Sequence, residues 1–279
     1  MSTLVILVVL GSALLHAVWN AIIKGGQDKL IETAMKALGG GFAVMFILPF
    51  LPLPLPESRI YLFGTMCIHL FYYLFIAYAY RGADLSYAYT IMRGSAPLFT
   101  ALATFFFLHE DMTPGGWAGV VMLSSGVLIL ALDAVRRGGF SAPATAYALS
   151  NAVMIMAYTL VDGTGVRLAG NPVSYVCWAF FLNTFPINIF SMAARGRGYF
   201  AYVKKRFRYG LFGGICSLLA YGLALWGMTR APISTVAALR ETSVVFGMLF
   251  AVLFLKEKMT PARVAAVVLV LAGAAAMRL

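Results

Sequence analysis

Apolar residues fall along this chain in blocks of roughly 20, the length at which a helix rising about 1.5 Å per residue crosses a hydrocarbon layer about 30 Å thick. Polar and turn-forming residues interrupt the blocks at short intervals. The pattern predicts ten helical spans, at roughly 3–23, 31–51, 60–80, 85–108, 115–133, 143–162, 172–194, 209–229, 232–255 and 262–278. Little sequence is left for connectors, so the predicted fold is an all-α membrane protein of ten transmembrane helices with no soluble domain. No basic segment precedes the first span, and "SALLHAVWN" runs on into further apolar sequence, which predicts a retained helix rather than a cleaved signal.

Composition sharpens this. Hydrophobic residues make up 62% and charged residues 11% of the 279 residues, where soluble domains carry about 25% charged residues. The net charge of +11 does not form a basic face interleaved with aromatics, which excludes nucleic acid as a partner. It sorts by connector instead. One side of the membrane collects Lys24, Lys29, Lys36, Arg81, Arg136, Arg137, Arg195, Arg197, Lys204, Lys205, Arg206, Arg208, Lys256, Lys258 and Arg263; the other holds Arg59, Arg167, Arg230 and Arg278. Lys and Arg are retained on the cytoplasmic side during insertion, so both termini are predicted outside a bacterial-type cytoplasmic (inner) membrane. Cys67, Cys177 and Cys216 all fall within spans, without disulfide or metal spacing, and no cofactor is indicated.

The chain also repeats itself. "LFGTMCIHLFYY" from Leu62 matches "LFGGICSLLAYG" from Leu211 at an offset of 149, pairing Cys67 with Cys216 and Tyr72 with Tyr221. "FLHEDMTP" matches "FLKEKMTP" at an offset of 147, pairing Glu110 with Glu257 and Pro114 with Pro261, and the same offset pairs Arg93 with Arg240. The change in offset predicts a small insertion or deletion in the third connector, between Arg81/Arg230 and Arg93/Arg240. Two five-helix halves, residues 1–138 and 139–279, are implied. Five is odd, so the second half enters the membrane upside down, giving an inverted-topology repeat. "LHEDMT" is acidic where "LKEKMT" is basic, the sign change inversion requires.

The five-plus-five arrangement, the "HAVWN" first helix and the twice-occurring "FL-x-E-x-M-T-P" followed by a Gly-containing apolar helix resemble the EamA-like branch of the drug/metabolite transporter superfamily over essentially the whole chain. Within it, "LLHAVWNAIIK", "AYTLVDGTGVR" and "ALRETSVVF" resemble a subgroup of membrane proteins associated with phosphonate utilisation. The resemblance implies a small-molecule transporter, and family members are usually drawn with both termini in the cytoplasm, the reverse of what the loop charges predict here.

Arg93, Arg240 and Glu241 lie within spans, where each charge facing lipid costs about 2.5–3.5 kcal/mol on insertion scales. They are expected to face protein or water. Arg93 and Arg240 each lie about 12–14 Å from a helix end and are expected to meet near the midplane. Adjacent residues on a helix point about 100° apart, so Glu241 is expected to reach Arg93 or His16 rather than Arg240. His16 with Asn20 on the first helix, Asn151, Tyr158 and Asp162 on one face of the sixth, His69 beside Tyr72 and Tyr73 on the third, and Tyr221 on the eighth complete an expected polar chamber lined by aromatics. The alternative for Asp162 is a place with Arg167 near a membrane face, paired with it or with water. Lone asparagines in spans more often bridge helices than bind ligands.

These features predict a secondary transporter of a small anionic or zwitterionic metabolite working by alternating access, since the guanidinium fork suits carboxylate, phosphate or phosphonate. Export of amino acids, aromatic metabolites or drugs is the alternative. An enzyme is not expected: the chain has no H-E-x-x-H, G-x-S-x-G or nucleotide-binding loop. The implied partners are a small-molecule substrate and the lipid bilayer, and a homodimer is compatible with the pattern.

Overall fold

A computed structural model describes residues 2–24, 26–79, 85–136, 141–255 and 260–277, less the side chains of residues 23, 24, 85–87, 89, 90, 134, 248, 251–255 and 263. Arg81, Arg137, Lys256, Lys258, Arg278, the repeat partner Glu257 and the third connector with its offset change lie outside the described residues, as do the side chains of Lys24 and Arg263.

The helices are α1 (Thr3–Lys24), α2 (Lys29–Met45), α3 (Pro56–Ala79), α4 (Leu85–Leu108), α5 (Pro114–Arg136), α6 (Ala142–Leu168), α7 (Pro172–Arg195), α8 (Arg197–Met228), α9 (Ile233–Leu239), α10 (Ser243–Leu255) and α11 (Pro261–Ala276). Among the described residues there is no strand, and seven helices are long and apolar enough to cross a membrane. Proline opens α3, α5, α7 and α11, where its missing N–H has no helical partner to lose. Asp28, Ser141 and Asn171 cap α2, α6 and α7 by accepting first-turn amide hydrogens.

Four spans differ clearly from those the pattern predicts. The sixth runs on to Leu168 rather than 162. The second span stops at Met45 rather than 51, because prolines at 49, 52, 54 and 56 remove the amides a helix needs. The eighth helix starts at Arg197 and runs through the basic segment with a kink at Arg206, so the segment expected as a connector is helical. The ninth span is broken into α9 and α10 by a 3₁₀ turn at Arg240–Thr242.

The packing is symmetric under exchange of one half for the other. With α9 and α10 taken as one span, α3 on α6 corresponds to α1 on α8, and α2 on α8 to α3 on α7, while α2 with α7 and α5 with α11 pair with their own counterparts. The α5–α11 crossing is built from small residues: Gly119 lies against Gly273, and Gly126 against Ala266. The offset of 147 carries Gly119 onto Ala266 and Gly126 onto Gly273, so the two contacts exchange with each other. Their order also makes α5 and α11 antiparallel. For α2 and α7 the same holds. Asp28 at the start of α2 pairs with Arg195 at the end of α7 at 2.7 Å, and Ser174 at the start of α7 bonds the Pro52 carbonyl just beyond α2. α2 approaches α8 at glycines, where a Cβ on Gly214 would run into the backbone of Gly39 and Gly40.

The distribution of polarity is inside out. Phe50, Ile60, Phe63, Phe106 and Phe107 are exposed, while His16, Lys36, His69, Arg93, Asp162, Arg240 and Glu241 are buried.

Partial burial raises the proton affinity of Asp28, but its ion pair with Arg195 and the amide hydrogens of Ile31 and Leu30 outweigh this and hold its carboxyl below the ordinary 3.8. A depressed carboxyl contributes stability that is present above its unfolded value and is lost as pH falls through the folded one. Asp28→Asn keeps the cap and removes the charge. It is expected to lower the apparent Tm in detergent at neutral pH, with the gap to wild type closing in buffers progressively more acidic than pH 3.8. A gap that stays constant across the range would show that the ion pair contributes nothing.

Candidate substrate cavity and its ion-pair latches

Seven elements converge on one interior cavity of about 40 Å³. α1 supplies His16 and Trp19, α2 supplies Lys36, and α3 supplies His69, Tyr72 and Tyr73. α6 contributes Tyr158, α7 Phe180 and Asn183, α8 Ser217 and Tyr221, and the turn breaking the ninth span contributes Arg240. His69 stacks on Tyr158 with centroids 4.6 Å apart, and Tyr158 meets Tyr72 and Tyr221 edge-on at 5.4 and 5.8 Å.

Two cations line this aromatic box. Arg240 lies over the Tyr221 ring at 5.2 Å. Lys36 lies 4.6 Å from the Trp19 centroid and 5.0 Å from that of Tyr73. Both are within cation–π range, where the ring face offsets part of the lost hydration. Lys36 corrects the sequence reading, which counts it among the connector lysines. α2 begins at Lys29, so Lys36 lies two turns inside the helix and is buried. None of the lining residues is a carboxylate. Arg240 Nε and Asn183 Oδ1 are buried without hydrogen-bond partners among the described residues, an arrangement folded proteins rarely leave unused.

The other expected site residues fall in two groups. Arg93 and Glu241 do not line the cavity; they form a buried ion pair at 2.9 Å joining α4 to the broken ninth span. This engages Oε1 of the carboxylate beside Arg240, while Glu241 Oε2 is buried without a hydrogen-bond partner among the described residues. Asn20 and Asn151 are also outside the lining. Asn20 Nδ2 donates to the His16 carbonyl of its own helix at 2.8 Å, and Asn151 Nδ2 meets Met92 Sδ at 2.8 Å across the α4–α6 contact. These are bonds that hold helices, as lone asparagines in spans commonly do.

Asp162 and Arg167 correct the reading that pairs them near a face. α6 extends to Leu168, so Asp162 lies about 9 Å inside it. It is 0% exposed and accepts hydrogen bonds from Tyr221 Oη at 2.6 Å and from Thr65 Oγ1 and Tyr175 Oη at 2.9 Å each. Arg167 turns away, pairing with Glu110 at 2.6 Å and donating to the carbonyls of Met228 and Ala231. Glu110 also accepts the Ile233 amide at 2.9 Å. One end of the bundle is thus tied across the α4–α5 and α8–α9 connectors and the end of α6. At the opposite end Glu32 forms an ion pair with Arg206 at 2.6 Å and accepts from Tyr202 Oη at 2.7 Å, alongside Asp28–Arg195. The cavity lies between two closed latches. Among the described residues no His, Cys, Asp and Glu cluster is spaced to hold a metal ion.

The EamA-like transporter family matches residues 3–132 and 143–279. A solved crystal structure is similar to this chain with a TM-score of 0.71 at 20% identity, over 99% of this chain and 96% of that one, which establishes likeness of fold. No curated protein sequence matches the chain.

Removing one member of a buried ion pair leaves a charge stranded and costs about 3–5 kcal/mol, whereas replacing both by apolar residues of similar size is often neutral. Glu241→Leu is therefore expected to lower the apparent Tm strongly, and the double variant Arg93→Met/Glu241→Leu to regain most of the loss. Losses that simply add in thermal unfolding would show that the two residues are not coupled.

Proposed function

Since this chain belongs to the EamA-like transporter family, a multi-pass integral membrane protein, we propose that it carries a small anionic or zwitterionic metabolite across the membrane by alternating access through the central cavity. The observation that carries this reading is the unbalanced charge of that cavity: Lys36 and Arg240 line it, no carboxylate does, and Arg240 Nε is unpartnered among the described residues. A bound carboxylate, phosphate or phosphonate supplies the missing countercharge, and the planar guanidinium can grip two of its oxygens at once. The tyrosine faces around the cations suit contact with an aromatic or aliphatic substituent and favour, as a second reading, an exporter of amino acids, aromatic metabolites or drugs.

Alternating access follows from the same layout. Residues 1–138 and 139–279 act as inverted five-helix repeats of ten spans, a reading supported by the antiparallel α2–α7 and α5–α11 contacts. Opening the Glu110–Arg167 latch admits solute from one face, and opening the Glu32–Arg206 and Asp28–Arg195 latch admits it from the other. Arg195, Arg197, Lys204, Lys205, Arg206 and Arg208 share the second face, which the positive-inside rule orients to the cytoplasm, with both termini outside and the chain in a bacterial-type inner membrane. Withdrawing Lys36 from the tally leaves this asymmetry intact.

Purified protein is to be titrated with methylphosphonate, sulfate, glutamate and an uncharged control while its thermal unfolding is followed, because a ligand that binds only the folded state raises the apparent Tm. At least one anion is expected to stabilise the wild type. Arg240→Lys keeps the charge and loses the fork, and Lys36→Gln loses a charge; each is expected to weaken binding about tenfold or more. Anion binding unchanged in both variants would move the site away from this cavity.

A further inference from the structure

Beside the cavity, though not lining it, is a carboxylate that substrate binding leaves unused. Asp162 is fully buried, and its three hydrogen-bond donors are hydroxyls from three other helices: Thr65 from α3, Tyr175 from α7 and Tyr221 from α8. Among the described residues no Lys or Arg lies within ion-pair distance of it. A carboxylate inside a membrane helix bundle without a countercharge is a site at which a proton can be exchanged at small cost.

Two of the three donors lead back to the cavity. Thr65 Oγ1 spends its hydrogen on Asp162 Oδ2, so toward His69 it can only accept, and His69 Nδ1 lies 2.9 Å away. The same Nδ1 lies 3.0 Å from the Thr65 carbonyl, which also can only accept. Both contacts put the imidazole hydrogen on Nδ1 and leave Nε2 as a lone pair, and His69 lines the cavity. The other route is Tyr221, whose hydroxyl meets Asp162 while its ring carries Arg240.

We propose that Asp162 is a proton-carrying site loaded from the cavity through His69 and Thr65, which makes the proton the co-ion of the transport proposed above. A proton from cavity water binds His69 Nε2. The Nδ1 hydrogen passes to Thr65 Oγ1, and the Thr65 hydroxyl hydrogen passes to Asp162 Oδ2. One proton has entered and one is stored: the carboxyl and hydroxyl are neutral, and the imidazole is neutral with its hydrogen now on Nε2.

Loading changes the charge that the cavity cations feel. The ionised carboxylate holds Tyr221 by accepting its hydroxyl hydrogen, and Tyr221 in turn supports Arg240; a neutral carboxyl lets both relax toward an incoming anion. Around the relay stand Lys36 from α2, Tyr61, Tyr72 and Tyr73 from α3, Tyr158 from α6, Tyr175 from α7, Tyr221 from α8 and Arg240 from the ninth span. Arg93 and Glu241 face Tyr158 as an ion pair of no net charge, and α9 presents the apolar Ile233 at Gly163. The cations Lys36 and Arg240 are thus the charges left uncompensated near the stored proton.

The relay is tested on the purified full chain without any solute, so its failure is separate from failure of the anion site. Infrared difference spectra between neutral and acidic buffer are expected to contain the carbonyl band of a protonated buried carboxyl that Asp162→Asn removes. After a rapid pH drop, Thr65→Val and His69→Gln are expected to slow the growth of that band at least about tenfold without reducing its final size, and Thr65→Ser, which keeps the hydroxyl, to restore the rate. A band that survives in Asp162→Asn, or grows at the wild-type rate in Thr65→Val, overturns the relay. Coupling is read with sulfate, whose charge does not change over this pH range. Its affinity is expected to rise on acidification in wild type and to be flat in Asp162→Asn; equal pH dependence in the two, or none in wild type, overturns the coupling.

Discussion

The rest of this structure is arranged around the cost of keeping Lys36 and Arg240 charged in the middle of an apolar bundle. Neither faces lipid and neither has a carboxylate beside it in the cavity wall. Their charges are offset by the faces of Trp19, Tyr73 and Tyr221, which is weaker compensation than a full ion pair. A bundle that neutralises Arg93 with Glu241 at 2.9 Å can build such pairs. That two cations are left to aromatic rings is what the proposed affinity of the cavity for a negative solute rests on.

The same constraint explains the local break in the ninth span. Arg240 and Glu241 are adjacent, yet one must point at the cavity and the other at Arg93 on α4. A 3₁₀ turn at Arg240–Thr242 tightens the helix at the point where these directions diverge, and short 3₁₀ insertions of this kind recur at hinges. α9 begins at the Glu110–Arg167 latch, through the Ile233 amide, and α10 continues beyond the turn. On the proposed mechanism, a movement at the Glu110–Arg167 latch reaches Arg240 through an element that already changes geometry there.

Much of the fold could be read from the sequence because repeated residues are matched at fixed offsets. Cys67 with Cys216, Tyr72 with Tyr221 and Arg93 with Arg240 require no knowledge of depth. Placement along the membrane normal was less legible. Lys36 reads as a connector residue because hydropathy alone does not reveal that Asp28 caps a helix eight residues earlier. Asp162 and Arg167 look like a local pair because they are five residues apart, whereas their partners, Tyr221 and Glu110, are reached only through tertiary packing. Trp19 and Asn183 gave no signal of a site, since an aromatic or amide within a span is equally at home at an interface or between helices. Asn20 and Asn151 lie outside the cavity lining, Asn20 bonded to the backbone of its own helix and Asn151 to Met92 across the α4–α6 contact.

The central claim is that this positive cavity opens to one face at a time when one latch is released. It can be tested by placing a single cysteine at Ser217 on the cavity wall, in a chain lacking Cys67, Cys177 and Cys216, in sealed vesicles of each orientation. Labelling by a membrane-impermeant maleimide is then compared for Glu110→Gln and Glu32→Gln. Glu110→Gln is predicted to raise labelling only from the face that carries Arg167, and Glu32→Gln only from the face that carries Arg206. Labelling raised from both faces by either substitution, or from neither face by both, would contradict it.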